Sequence, residues 1–151
     1  MIVYGQLVNL HDFKLYHGGK AMTDKKLLEL AVEAMDNSYS PYSKRKVGSA
    51  IECVDGTVFS GSVIENVAIS TTICAEAAAI SAAVSAGHRV FKRIAVISEG
   101  RTYRLPCGSC RQLLNEFSPE IEVLCARSSD GRYISHSLTE LLPLPLGTSD
   151  D

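Results

Sequence analysis

The sequence of 151 residues predicts an α/β sandwich with helices on both faces of a central sheet. Three observations carry that prediction. Apolar runs of strand length recur along the chain, single helix-like segments separate them, and Asp55-Gly56 lies between two such runs as a hairpin turn.

Taken in chain order, residues 1–21 match no pattern that follows and are set apart as an N-terminal extension, leaving 22–151 as a single domain. Thr23 is placed to cap a helix whose apolar positions are Leu27, Leu28, Ala31, Val32 and Met35. "SYSPYS" ends it, because Pro41 cannot continue a helix and restricts the residue before it. "VGSAIECV" and "TVFSGSVI" then form the two arms of the hairpin. A second helix is expected from about Ile73 to Ala86, stopping at Gly87. "FKRIAVISE" reads as a buried strand and "CGSCRQLLNEF" as a short helix with Leu113, Leu114 and Phe117 facing inward. "IEVLCA" is another buried strand, Asp130-Gly131 a turn, and "SLTELL" a last helix.

Composition narrows the function classes. Hydrophobic residues make up 46% and charged residues 21%, as in an ordinary globular domain. The net charge of −2 is not that of a nucleic-acid-binding surface, so no nucleic-acid partner is expected. No apolar run is long enough to span a bilayer and the N-terminus lacks the layout of a secretory signal, so a cytoplasmic protein with no membrane partner is expected. Five cysteines, two of them as Cys107-Gly108-Ser109-Cys110, point to metal or redox chemistry rather than to a disulfide framework.

The second helix poses the functional question. "TTICAEAAAI" is suited to packing, yet it opens with Cys74 and Glu76, and burying an unpaired carboxylate costs several kcal/mol. Cys74 and the Cys107/Cys110 pair each stand at an expected helix start, where unsatisfied N–H groups and the helix dipole favour thiolates. If the two starts lie side by side, three thiolates converge, and three protein ligands with one open position is the pattern of catalytic rather than structural zinc. Glu76 would then stand beside the open position as a proton carrier without being a ligand, as hydrolytic deamination requires. Singly these residues carry little. A lone cysteine on an apolar helix is ordinarily a small core residue, and a lone CxxC fits redox chemistry, structural zinc or chance.

"CAE", with "PCGSCRQ" some thirty residues later and "SPYSKRKVG" and "VIENVAIS" before it, resembles the small homotetrameric zinc-dependent cytidine deaminases over roughly Leu27 to Pro143. The resemblance implies a three-layer α/β/α sandwich around a mixed five-stranded sheet, with active sites at subunit boundaries of a homotetramer. It implies that Cys74, Cys107 and Cys110 hold Zn2+, that Glu76 passes protons to N3 and the leaving amine, that the Ala75 N–H contacts the base carbonyl, and that Glu65 binds a ribose hydroxyl. The implied substrate is a small nucleoside, cytidine or deoxycytidine. Departures from the family pattern fall around the pocket: Arg45 where an aromatic ring stacks on the base, Val63 where an Asn binds ribose, and Ile69, Leu146 and Ala77 in place of an aromatic, a Phe and an Arg. A modified cytosine nucleoside, blasticidin S-like and bearing an anionic group that Arg45 would meet, is the alternative substrate. A non-catalytic zinc-stabilised module and a deaminase acting on bases in nucleic acid are the other classes. Cys53 and Cys125 are expected to be buried thiols, and His11, His17, His88 and His136 surface or capping residues with no partner at ligand spacing.

Overall fold

The computed structural model describes residues 16–17 and 22–147. Helix α1 (Asp24–Met35) begins at Thr23, whose hydroxyl accepts from the Lys26 N–H, and the hairpin follows as β2 (Val47–Cys53) and β3 (Thr57–Ser62). Helix α2 (Ala75–Ser85) leads to β4 (Phe91–Ser98), α3 (Gly108–Phe117) to β5 (Glu122–Arg127), and β6 (Tyr133–Ser137) runs into the single turn α4 (Leu138–Leu141). A two-residue strand from the extension, β1 (Tyr16–His17), pairs with β3 at the sheet edge.

Strand order is β1-β3-β2-β4-β5-β6. The five strands from Val47 to Ser137 form the mixed sheet that the resemblance implies: β4 and β5 run parallel and their other neighbours antiparallel. A parallel pair needs a crossover, and α3 supplies it. Helix α1 covers one face, packing Leu27, Leu28, Ala31 and Met35 against Ala50, Val58, Ala95, Ile97 and Leu124. Helices α2, α3 and α4 cover the other, over Val47, Ile51, Ile94, Val96, Val123 and Cys125. Burial on both faces is why the central strands read as continuous apolar runs, with no polar alternation to mark them.

Two glycines set how closely the helices dock. A Cβ on Gly48 would stand 2.1 Å from the Ala31 carbonyl oxygen in α1, and one on Gly61 would stand 2.4 Å from both the Ala75 oxygen and the Ala79 nitrogen in α2. Neither backbone group could remain in place. At the far end of α2, Gly87 with φ of +94° turns the chain out, its N–H and that of His88 going to the carbonyls of Val84 and Ala83.

Three expectations need correction. Val32 is exposed, and Ala34 takes its place on the buried face of α1. Ile73 lies outside α2, in an antiparallel bridge with Ile64. Strand β6 was not expected: "YISHS" is short, borders the turn and lies at an edge, so its apolar signal is weak. No helix among the described residues is long and apolar enough to cross a membrane. His11 and most of the extension lie outside the described residues, as does the His17 side chain.

Candidate active site

The cysteines sit where backbone geometry favours thiolates. Cys74 is the N-cap of α2 and Cys107 the N-cap of α3, both with extended backbone and neither using its side chain as a capping acceptor. Cys110 lies three residues after Cys107, one turn along the same face of α3. The Cys74 and Cys107 sulfurs are 3.8 Å apart, and all three Sγ atoms lie within 4.8 Å of one another. Zinc bound tetrahedrally at Zn–S distances of about 2.3 Å requires neighbouring sulfurs to stand about 3.8 Å apart. The thiol set therefore fits zinc, as expected from the sequence.

Titration behaviour follows from crowding. Hydrogen bonds from the neighbouring cysteines, Cys110 first, outweigh burial and bring the Cys74 thiol down to about 6, with help from the Arg104 charge. The Cys110 thiol is pushed up by donating to Cys74, by burial, and by the negative charges of Glu76, Cys74 and Cys107. Glu76, in the first turn of α2, is only 4% exposed. Burial raises its carboxyl to about 7, against the lowering effects of its own N–H and of Arg104. A carboxyl held there can both accept and give a proton near neutral pH.

A cavity of about 320 Å³ opens onto these groups, lined by Cys74, Ala75, Glu76 and Cys107 together with Arg45, Val47 and Val63. Ala75 is the first residue of α2, so its N–H has no intrahelical acceptor. The structure thus brings together Cys74, Cys107, Cys110, Glu76, Ala75, Arg45 and Val63.

Glu65 stands apart from that group. It lines an adjacent depression with Tyr42, Ser43, Asn66, Val67 and Ile69, and its carboxylate accepts the N–H groups of Tyr42 at 2.9 Å and Ser43 at 3.1 Å. Those partners, Ser43 foremost, hold the Glu65 carboxyl below its usual range. Within this chain Glu65 fastens the loop that carries Arg45.

A second stretch of the lining was missed from sequence. Thr102, Tyr103, Arg104 and Leu105 face the same cavity, and Arg104 supplies positive charge beside the thiolates and Glu76 where Ala77 supplies none. The available signal was "RTYRLPC", an aromatic residue between two arginines just before the Pro-Cys pair. Arg111 fixes the start of α3 from behind, its Nε donating to the Pro106 carbonyl at 2.8 Å and another guanidinium nitrogen to that of Leu141 at 2.7 Å. Ile69 and Leu146 are strongly exposed, and the Leu146 backbone is tied to the Gln112 side chain. Cys53 and Cys125 are buried as expected, and burial pushes both thiols up to about 12. His136 contacts Glu140 at 3.2 Å, and His88 has partners that its sequence position did not reveal.

Comparison with known proteins agrees with this geometry. Residues 21–126 match the model of the cytidine and deoxycytidylate deaminase zinc-binding region. The chain belongs to this family. It is 45% identical over 122 residues to a cytidine deaminase of Sporosarcina psychrophila, an alignment covering 81% of this chain and 90% of the relative. It is 34% identical over 129 residues to a blasticidin-S deaminase of Bacillus cereus, covering 80% and 90% respectively. The crystal structure of a cytidine deaminase from Burkholderia pseudomallei superposes with a TM-score of 0.79 at 38% identity, over 83% of this chain and 100% of that one. In this member of the cytidine and deoxycytidylate deaminase family, zinc is the metal that both the family's zinc-binding region and the sulfur spacing call for.

Proposed function

We propose that this protein is a hydrolytic deaminase of free cytidine and deoxycytidine, releasing ammonia and leaving uridine or deoxyuridine. The observation that carries the reading is a buried carboxyl raised to about 7, Glu76, beside three converging cysteine sulfurs and facing a cavity. Zinc held by Cys74, Cys107 and Cys110 supplies Lewis acidity for activating water.

The chain's own groups do the rest. Water adds to ring C4, and Glu76 takes one of its protons and delivers it to N3. The remaining hydroxyl proton then travels through Glu76 to the exocyclic amine, the C4–N bond breaks, and ammonia leaves as the carbonyl forms. The N–H of Ala75 orients the base by donating to its ring carbonyl, and Val63 and Arg45 bound the sugar side. The charge of Arg104 offsets the negative charge gathered by the thiolates, which keeps Glu76 from being driven higher. The test is ammonia release from a panel of cytosine nucleosides by zinc-loaded protein, with cytidine and deoxycytidine expected as substrates. Failure to release ammonia from any of them would overturn the reading.

The two cavity arginines favour a second substrate class. Arg45 and Arg104 give the pocket fixed positive charge, which would select a cytosine nucleoside carrying an anionic group on or beside its sugar. The similarity to a blasticidin-S deaminase supports that reading. Restoring an aromatic and an amide with Arg45→Phe and Val63→Asn raises kcat/KM for cytidine if the pocket is adapted to the modified nucleoside; unchanged or lower values reject it.

We assign the active form to a homotetramer. Tyr39 (58% exposed), Val67 (78%) and Ile69 (85%) lie around the loops beside the site, and a second copy would cover such apolar surface. It would also bring groups of one subunit towards the cavity of another. Light scattering on active protein checks this, and an active monomer would refute it. Reduced thiolates are required at the metal site, so the compartment assigned is the cytoplasm.

A further inference from the structure

A second group of metal-ligating side chains lies at the other end of α2. The Cys53 sulfur, a carboxylate oxygen of Asp55 and a ring nitrogen of His88 all lie within 4.8 Å of one another. With 11 residues at about 1.5 Å each, α2 spans roughly 16 Å between its Cys74 cap and the connection that carries His88, so the two clusters cannot share an ion.

Each donor is fixed by its surroundings. Cys53 closes β2 at a register shift in the ladder between β2 and β4. Asp55 opens the hairpin turn, where its Oδ1 accepts the Thr57 N–H at 2.9 Å and its Oδ2 is directed to His88. His88 is held by its N–H bond to the Ala83 carbonyl, and its ring leans on Phe59 with centroids 5.1 Å apart. The His88 Nδ1 to Asp55 Oδ2 distance is 3.4 Å. That is longer than the usual N–H···O bond of about 2.7–3.2 Å. It equals the spacing of about 3.4 Å between a nitrogen and an oxygen bound at about 2.1 Å to tetrahedral zinc.

We propose that Cys53, Asp55 and His88 form a second binding site for a divalent, thiophilic metal ion, zinc by the chemistry of the donor set. One sulfur, one imidazole and one carboxylate suit zinc rather than magnesium or calcium, which prefer all-oxygen shells. Side-chain exposure of 54% at Asp55 and 27% at His88 gives the ion a route in, while Cys53 forms the inner wall. The ion displaces the thiol proton and joins three segments distant in sequence or direction: the end of β2, the hairpin turn and the connection from α2 to β4. Its role is to staple the hairpin to the helix layer, away from the chemistry.

The experiment is equilibrium dialysis of the intact protein against micromolar free zinc, with metal counted per chain and thermal unfolding followed on the same samples. Two zinc ions per chain are expected for the unaltered protein. His88→Ala and Asp55→Asn should each hold one, with deamination of cytidine unchanged and the upper part of the zinc-dependent rise in Tm lost. One zinc per chain in the unaltered protein would overturn the proposal. So would two in both variants, which would mark the extra ion as adventitious. Because this readout is metal count at residues remote from the cavity, it stands or falls independently of whether cytidine is the substrate.

Discussion

Substituting Gly61 by alanine tests whether the docking of α2 on β3 holds the catalytic geometry. The added Cβ would stand 2.4 Å from the Ala75 oxygen and the Ala79 nitrogen, where ordinary contact begins at 3.4 Å, so α2 must retreat by about 1 Å. Cys74, Ala75 and Glu76 move with it, since they are the cap and first turn of that helix. Overpacking of this kind costs about 1–3 kcal/mol of stability, and misplacing catalytic groups by about 1 Å costs on the order of 100-fold in rate. Gly48→Ala provides the matched control: its Cβ would clash with α1 at 2.1 Å from the Ala31 oxygen, on the sheet face away from the site. Both variants should unfold at lower temperature. Only Gly61→Ala should lose turnover per folded, zinc-loaded molecule, measured by ammonia release with folded fraction and zinc content determined in parallel. Equal turnover in the two variants, or a Gly61→Ala protein with unaltered activity, would refute the argument that this contact positions the site.

Other expectations follow from the same geometry. Glu76→Gln should remain folded and zinc-bound while losing at least about 100- to 10,000-fold in turnover, the contribution typical of a positioned general acid-base; near-normal activity would remove Glu76 from that role. With zinc bound at pH 8, Cys125 should stay silent to a thiol reagent, because burial holds its thiol near 12, and should react only on denaturation. Early reaction of Cys125 would contradict the burial described. The Glu65 carboxyl is held low by Ser43 and Tyr42, so its stabilising effect is complete above the usual carboxylate range and is lost as pH falls through its depressed folded value. Glu65→Gln should therefore flatten the acid limb of a Tm against pH curve, and an unchanged limb would show that the loop is held otherwise.

The fold was readable where the sequence carries strong local signals. Thr23, the Asp55-Gly56 turn and Gly87 mark boundaries through capping or turn chemistry that acts within a few residues, and the structure keeps all three. The placement of Cys74 and Cys107 at two helix starts, with Cys110 one turn on, was readable because helix caps and an i, i+3 spacing impose their own geometry. What was illegible depended on contacts distant in sequence. Arg104 acts on Glu76 only because α2 and α3 start side by side, and His88 meets Asp55 only because the chain leaving α2 returns to the hairpin. Glu65 shows the converse, a residue whose motif implies one partner while two backbone N–H groups of a distant loop engage it.

The placement of the thiols on two separate helix caps also sets an order of events during synthesis. Cys74 precedes Cys107 by 33 residues, a gap of about 2–7 s at translation rates of about 5–20 residues per second. During that interval a ribosome-bound chain presents a single site thiol, and α3 has yet to be made. The donor set first becomes complete when the paired cysteines emerge, and it converges only once β4 has joined β2 and carried the start of α3 to the start of α2. Metal acquisition is thereby coupled to closure of the central ladder, and a nascent chain stalled before Cys107 has too few of these ligands to capture zinc in a half-built site.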